Sequence, residues 1–243
     1  MRHIVKFLCI ISVFCIHNIL WADSQSRYFM GQVGIGGAYY NFGGEDVSSV
    51  GGYLAGEARF FVFQRVQSVF GVRIGGGQSK AYQMPDVAEK SGFMISDQYF
   101  KIGVNIASLN TPLYINLLVE SNSHDSKHGL SRKLKLLGAD IEGAMPLGNI
   151  SCFEYSLGYT YTTNQSSYVI GDKTSYIQRD PFKSYILSAS IGLSRKLSLQ
   201  TIFYTKLIGK YQNLKASFYS DGAQGYPSSA NIVAMLEFGF RGL

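Results

Sequence analysis

Apolar and polar residues alternate with a period of two in ten stretches of this chain, each about as long as a tilted strand needs to cross a bilayer. The stretches are 27–40, 52–63, 69–77, 98–109, 113–120, 134–145, 150–162, 183–194, 197–207 and 230–240. In the fourth, Phe100, Ile102, Val104 and Ile106 share one face while Tyr99, Lys101 and Asn105 share the other. Strict alternation over so many segments is what two unlike solvents impose, hydrocarbon on one wall and a polar interior behind it.

Charge follows the same division. With the apolar set turned outward, the inward set holds Glu57, Arg59, Arg73, Lys101, Glu120, Asp140, Glu142, Glu154, Lys206 and Glu237. The outward phase holds only Arg27 and Lys183, both at strand starts, where a long cation reaches the interface. A basic residue facing lipid near the midplane costs on the order of 2–4 kcal/mol, so the separation has a physical cause. The sixth stretch breaks phase, because Leu134 and Leu136 oppose Leu137, Ala139 and Ile141. One inserted residue flips the faces, which predicts a β-bulge near Leu136-Leu137.

Connections alternate in length. Segments 64–68, 110–112, 146–149 and 194–196 are short, and the last but one, Pro146-Leu147-Gly148-Asn149, is a strong turn signal. Segments 41–51, 78–97, 121–133, 164–182 and 209–229 are long and mostly polar. Short periplasmic turns and longer outer loops are the habit of transmembrane barrels. The expected fold is all-β: a transmembrane antiparallel up-and-down β-barrel of ten strands, with eight as the alternative, and with both termini in the periplasm.

Composition sharpens the class. Charged residues make up 16% of the 243, against roughly 25% in soluble domains. No apolar run beyond the N-terminus reaches the length of a spanning helix. The 27 glycines, 17 tyrosines and 16 phenylalanines, beside one tryptophan, favour strands, tight bends and interfacial rings. Residues 1–22 read as a signal peptide: Arg2, His3 and Lys6 precede an apolar run, and Leu20-Trp21-Ala22 offers a cleavage site. Residues 23–243 are then the barrel domain, in the cell outer membrane after export. Cys9 and Cys15 fall in the leader, so only Cys152 remains and no internal disulfide forms. Loss of Arg2 and Lys6 lowers the formal charge from +6 to +4. That mild basicity points to phosphate-rich lipid headgroups rather than nucleic acid.

Candidate chemistry is sparse. The inward charges suit either an ion path or a self-neutralising ladder inside a filled barrel; the bulk of Tyr53, Phe61, Tyr99, Tyr114, Tyr204 and Met235 favours the ladder. Ser123-His124-Asp125-Ser126-Lys127-His128 has catalytic and metal-ligating residue types, but it falls in an expected surface loop and matches no motif. Arg132, Lys133 and Lys135 cluster at the outer end of the sixth strand with Lys183 at similar height, a candidate contact for lipopolysaccharide phosphates. Outward aromatics near strand ends, such as Phe29, Tyr39, Phe70, Phe100, Phe153, Tyr161, Tyr185 and Phe240, read as interfacial girdles. The glycine runs 34–37 and 75–77 open no helix and carry no phosphate-loop lysine, so they read as points of strand bending.

On this pattern nearly the whole mature chain resembles the small outer-membrane β-barrel proteins, the broad group that includes OmpA- and OmpX-like barrels. The leader, the opening Arg27-Tyr28-Phe29 and the glycine-aromatic style are similar to outer-membrane proteins of Helicobacter and its relatives. The resemblance implies insertion by the barrel-assembly machinery, which reads an aromatic end; here Phe240 is followed by Arg241-Gly242-Leu243, a departure from that pattern. Omptin-like proteases are also ten-stranded and set acidic residues and a histidine at the rim; Asp97 and His124 fall at comparable heights without the motif. Lipid A deacylases use a histidine on the lipid-facing wall, and no outward position here is histidine. The expectation is a monomeric structural or surface-interacting protein with five outer loops, without catalysis, metal or cofactor. A narrow passive channel is the alternative, and an outer-membrane hydrolase comes third.

Overall fold

The computed structural model describes residues 28–43, 47–63, 65–81, 90–126, 130–170, 173–177, 180 and 182–242. The proposed leader, Lys127, His128 and Leu243 lie outside these. The strands are β1 (Phe29–Phe42), β2 (Val47–Val62), β3 (Val66–Ala81), β4 (Lys90–Asn105), β5 (Leu113–Ser126), β6 (Leu130–Leu147), β7 (Ser151–Thr162), β8 (Ser167–Ile170), β9 (Lys173–Ile177), β10 (Tyr185–Lys196), β11 (Thr201–Leu214), β12 (Ser217–Phe218) and β13 (Ser229–Gly242). Ten of them close into one antiparallel ring, with β1 to β7 in sequence, then β10, β11 and β13, which pairs back onto β1. Closure satisfies the backbone of every barrel strand on both sides, the condition for crossing hydrocarbon without a helix. Short β8, β9 and β12 extend the sheet as a flap from the end of β6 that carries the long connections.

Alternation is clean where lipid dictates it. Along β13 buried and exposed positions alternate without a break from Ser229 to Arg241. On β5 the outward residues Ile115, Leu117 and Val119 are 48%, 66% and 54% exposed, so apolar side chains cover the outside rather than the core. An apolar belt this large is stable only against lipid. The belt has an edge: past Val119 the outward positions of β5 become Ser121, Ser123 and Asp125, and those of β6 change from Leu137 to Lys135 and Lys133. Rings pair along the belt, Phe29 tilted against Phe60 (5.0 Å), Phe203 edge-on to Phe240 (5.7 Å) and Tyr159 stacked on Tyr185 (5.6 Å).

Several sequence expectations need correction. Strands of 14 to 18 residues in β1 to β6 outrun the alternating stretches, so the connections between β1 and β2 and between β5 and β6 shrink to 43–46 and 127–129. The turn between β10 and β11 is 197–200, not 194–196, and Leu197 and Leu199 belong to it. No bulge exists at Leu136-Leu137: β5 and β6 pair in one register from Leu113↔Gly143 to His124↔Arg132. Leu134 and Leu136, each 1% exposed, face inward and join Tyr168, Ile177, Ile186, Leu214 and Tyr226 in an apolar cluster. The phase never slips; the interior at that level is oily.

Glycine is required at two positions of different kinds. Gly148, in the turn predicted from Pro146-Leu147-Gly148-Asn149, has φ +78°, a conformation glycine adopts without cost. Inside the barrel, a Cβ on Gly71 would sit 2.1 Å from Cζ of Tyr99, so this glycine makes room for a tyrosine laid across the wall.

Candidate functional site

Among the described residues the interior gathers most of the ion-paired side chains, and it is layered. Nearest the short turns, Arg241 of β13 donates from both terminal nitrogens to Glu154 of β7 (2.7 and 3.0 Å) and also to Gln32 of β1. One step higher, Glu142 of β6 accepts from Arg59 of β2 (2.7 Å), Gln67 of β3 (2.6 Å) and Lys101 of β4 (3.2 Å). Arg59 also donates to Glu57, which accepts from the Tyr99 hydroxyl, and Lys101 donates to Asp140 as well. Strands on opposite walls are thus tied through the lumen.

The central layer is a single carboxylate. Glu237 is fully buried and takes hydrogen bonds from Arg73 (2.9 Å), Tyr204 (3.0 Å), Tyr53 (3.3 Å) and Gln32 (3.4 Å), which stand on β3, β11, β2 and β1. Fully desolvated charge is tolerated only when such donors surround it. Above it, Lys210 of β11 crosses to Glu120 of β5 (2.5 Å), with Asp97 of β4 at 3.8 Å.

Nearest the long connections the interior becomes apolar. Ala38, Tyr40, Phe42, Phe93, Ile95, Ile208, Val233 and Met235 pack as one cluster. His124 lies among them, its ring stacked on Phe93 (4.7 Å) and edge-on to Phe42 (4.8 Å) and Tyr40 (5.5 Å). It therefore stands in β5 inside the barrel, not in a surface loop. Its Nε2, the Tyr40 hydroxyl and the Asn122 carbonyl oxygen have no hydrogen-bond partner, and all three residues line a void of about 10 Å³. Among the described residues no carboxylate is hydrogen-bonded to this imidazole, although Asp97 lines the same void. Among the described residues no cluster of His, Cys, Asp and Glu has the arrangement of a metal site.

All ten charged residues predicted to face inward do so, and the strand extensions add four more. Asp97 stands one two-residue step before Tyr99, Arg241 one step beyond Gly239, and Lys210 two steps beyond Lys206. Arg132 is the fourth: it is 6% exposed, donates to Gln212 (2.8 Å) and lies over the Phe42 ring. It is thereby removed from the proposed lipopolysaccharide contact. Among the described residues the interior then holds seven cations (Arg59, Arg73, Lys101, Arg132, Lys206, Lys210, Arg241) and seven carboxylates (Glu57, Asp97, Glu120, Asp140, Glu142, Glu154, Glu237). Lys133, Lys135 and Lys183 are exposed; Lys133 and Lys135 face outward just beyond the apolar belt, and Lys135 donates to Ser121 (2.9 Å).

No family model and no curated protein matches the sequence. Among solved structures, the outer membrane protease OmpT from Escherichia coli superposes with a TM-score of 0.57 at 7% identity, over 92% of this chain and 99% of that one. The translocator domain of the autotransporter NalP from Neisseria meningitidis gives 0.44 at 11% identity, over 89% of each chain. An outer membrane channel from Pseudomonas putida gives 0.42 at 9%, over 91% of this chain and 100% of that one. The first likeness establishes the fold and nothing about activity. The chain has the fold of a closed ten-stranded antiparallel β-barrel.

Proposed function

We propose that this chain is a non-conducting, monomeric outer-membrane barrel that acts through its outer surface and not through its lumen. One observation carries the reading: the Glu237 node, bonded to four strands, spans the middle of a lumen whose charges balance and whose loop end is packed with apolar side chains. An ion path needs water at every level, and a layer of mutually satisfied groups gives a permeant ion nothing to replace its hydration. The reading includes export on the 1–22 leader, insertion by the barrel-assembly machinery with the short turns in the periplasm, and display of the flap and long connections outside. No catalysis is expected, because among the described residues no carboxylate is hydrogen-bonded to His124 and the likeness to a protease extends to fold only.

Lys133 and Lys135 suit lipopolysaccharide phosphates, since they stand where the outer wall turns from apolar to polar and their donors reach headgroup height. Lys183 on the neighbouring connection adds a third cation. Planar-bilayer recording tests the main reading. The expected result is a flat baseline after insertion of the refolded chain; steady, ion-selective steps would transfer the protein to the narrow-channel alternative.

A further inference from the structure

The ion-pair layers leave one part of the lumen unfilled. At the short-turn end lies a cavity of about 370 Å³, within the size range of small-molecule sites. Its entrance is bordered by Leu109 and Pro112 of the turn between β4 and β5, and its far side is closed by the layers already described. Met30, Phe61 and Tyr114 supply an apolar wall. Arg59, Glu142, Glu154, Lys206 and Arg241 supply a polar one.

Two groups on the polar wall keep spare capacity: the Gln67 carbonyl oxygen, which has no hydrogen-bond partner, and the Lys206 ammonium, the one charged group of the two. Glu142 already accepts from Arg59, Gln67 and Lys101, and Glu154 takes the Arg241 fork. Both arginines are committed by the same bonds. Lys206 is not: among the described residues its ammonium has no hydrogen bond and no carboxylate within 4.0 Å. A buried ammonium carries three donors, so the cavity offers donors to a guest and asks for an acceptor in return.

The geometry points to this cavity as a binding site for a small amphipathic monocarboxylate, its carboxylate on Lys206 and its apolar body against Phe61 and Tyr114. A charge-assisted bond to a carboxylate is stronger than one to a neutral oxygen, which favours the acid over the matching alcohol. An amine is disfavoured because the one charge on the wall without an ion-pair partner, Lys206, is itself a cation. Since seven cations balance seven carboxylates across the interior, no surplus positive field draws the guest in. Binding is therefore modest, and a dianion is rejected. None of this requires the lumen to be closed or open at its far end, so its failure and that of the non-conducting reading are separate.

The full chain refolded in neutral detergent, titrated calorimetrically with benzoate, benzylamine and benzyl alcohol, tests the assignment. Benzoate is expected to bind saturably and more tightly than either analogue. Lys206→Met should weaken it by roughly tenfold or more, the size of one hydrogen bond to a charged group. Lys206→Arg should retain it, as should Lys196→Met at the exposed end of β10. Absence of saturable benzoate binding, equal affinity for benzylamine, or unchanged affinity in Lys206→Met would overturn the proposal. Should Lys206→Met fail to refold, the ranking of the three probes on the wild type and on Lys206→Arg still decides it.

Discussion

At the scale of single residues, this protein inverts the usual distribution: leucines and valines point away from the centre and glutamates toward it. Leu117 is 66% exposed on the outer wall, so Leu117→Arg should destabilise the inserted barrel by about 2–4 kcal/mol, while Leu117→Phe should have little effect. Urea titration of the chain refolded in vesicles measures both, and equal tolerance would contradict the outward assignment. Glu237 is the opposite case. Glu237→Ala strands Arg73 and leaves the Tyr53 and Tyr204 hydroxyls without their acceptor, an expected loss of about 3–5 kcal/mol. Pairing it with Arg73→Met should restore part of that loss by removing the uncompensated cation. Tyr40→Phe removes a buried hydroxyl that has no partner, so it should be neutral or slightly stabilising by the same titration.

Single elements show why some of the fold was legible in the sequence and some was not. Within the hydrocarbon zone the solvent on each wall differs sharply, so period-two patterning in stretches such as 98–109 and 230–240 reports each face directly. Beyond the belt both sides of a strand meet mixed surroundings, and the signal fades. That is why β5 was cut at Glu120 although it continues to Ser126, and why His124 looked like a loop residue. The same fading truncated β4 just short of Asp97 and β11 short of Lys210, hiding two members of the interior network. In β6 the inference failed differently. The rule that the interior is polar turned Leu134 and Leu136 into evidence for a bulge, whereas they belong to a core beneath the β8–β9 flap. Leu136→Ala should accordingly cost about 2–5 kcal/mol through the cavity it leaves, and Lys135→Ala, one position along and outward, no more than about 0.5 kcal/mol. Reversal of that order in urea titrations would revive the bulge.

Taken as a whole molecule, the barrel behaves as a cylinder with two unlike fillings: a charge-neutral ionic lattice toward the short turns and an aromatic-aliphatic core toward the long connections. Neutrality lets so many ionised groups share a lumen, and ties such as Arg59–Glu142 and Arg73–Glu237 link strands across it. Lipid on the outside and a filled inside are the joint premise of this account, and nitroxide scanning tests both at once. Labels walked from Asn231 to Leu236 on β13 in a reconstituted bilayer sample inward and outward positions in turn. Collision with oxygen, which concentrates in lipid, should be high at Ile232, Ala234 and Leu236, while Asn231, Val233 and Met235 should be shielded from oxygen and from a water-soluble nickel reagent alike. Nickel access at the outward positions would remove the membrane from the account, and nickel access at the inward ones would replace the filled lumen with a water-filled pore.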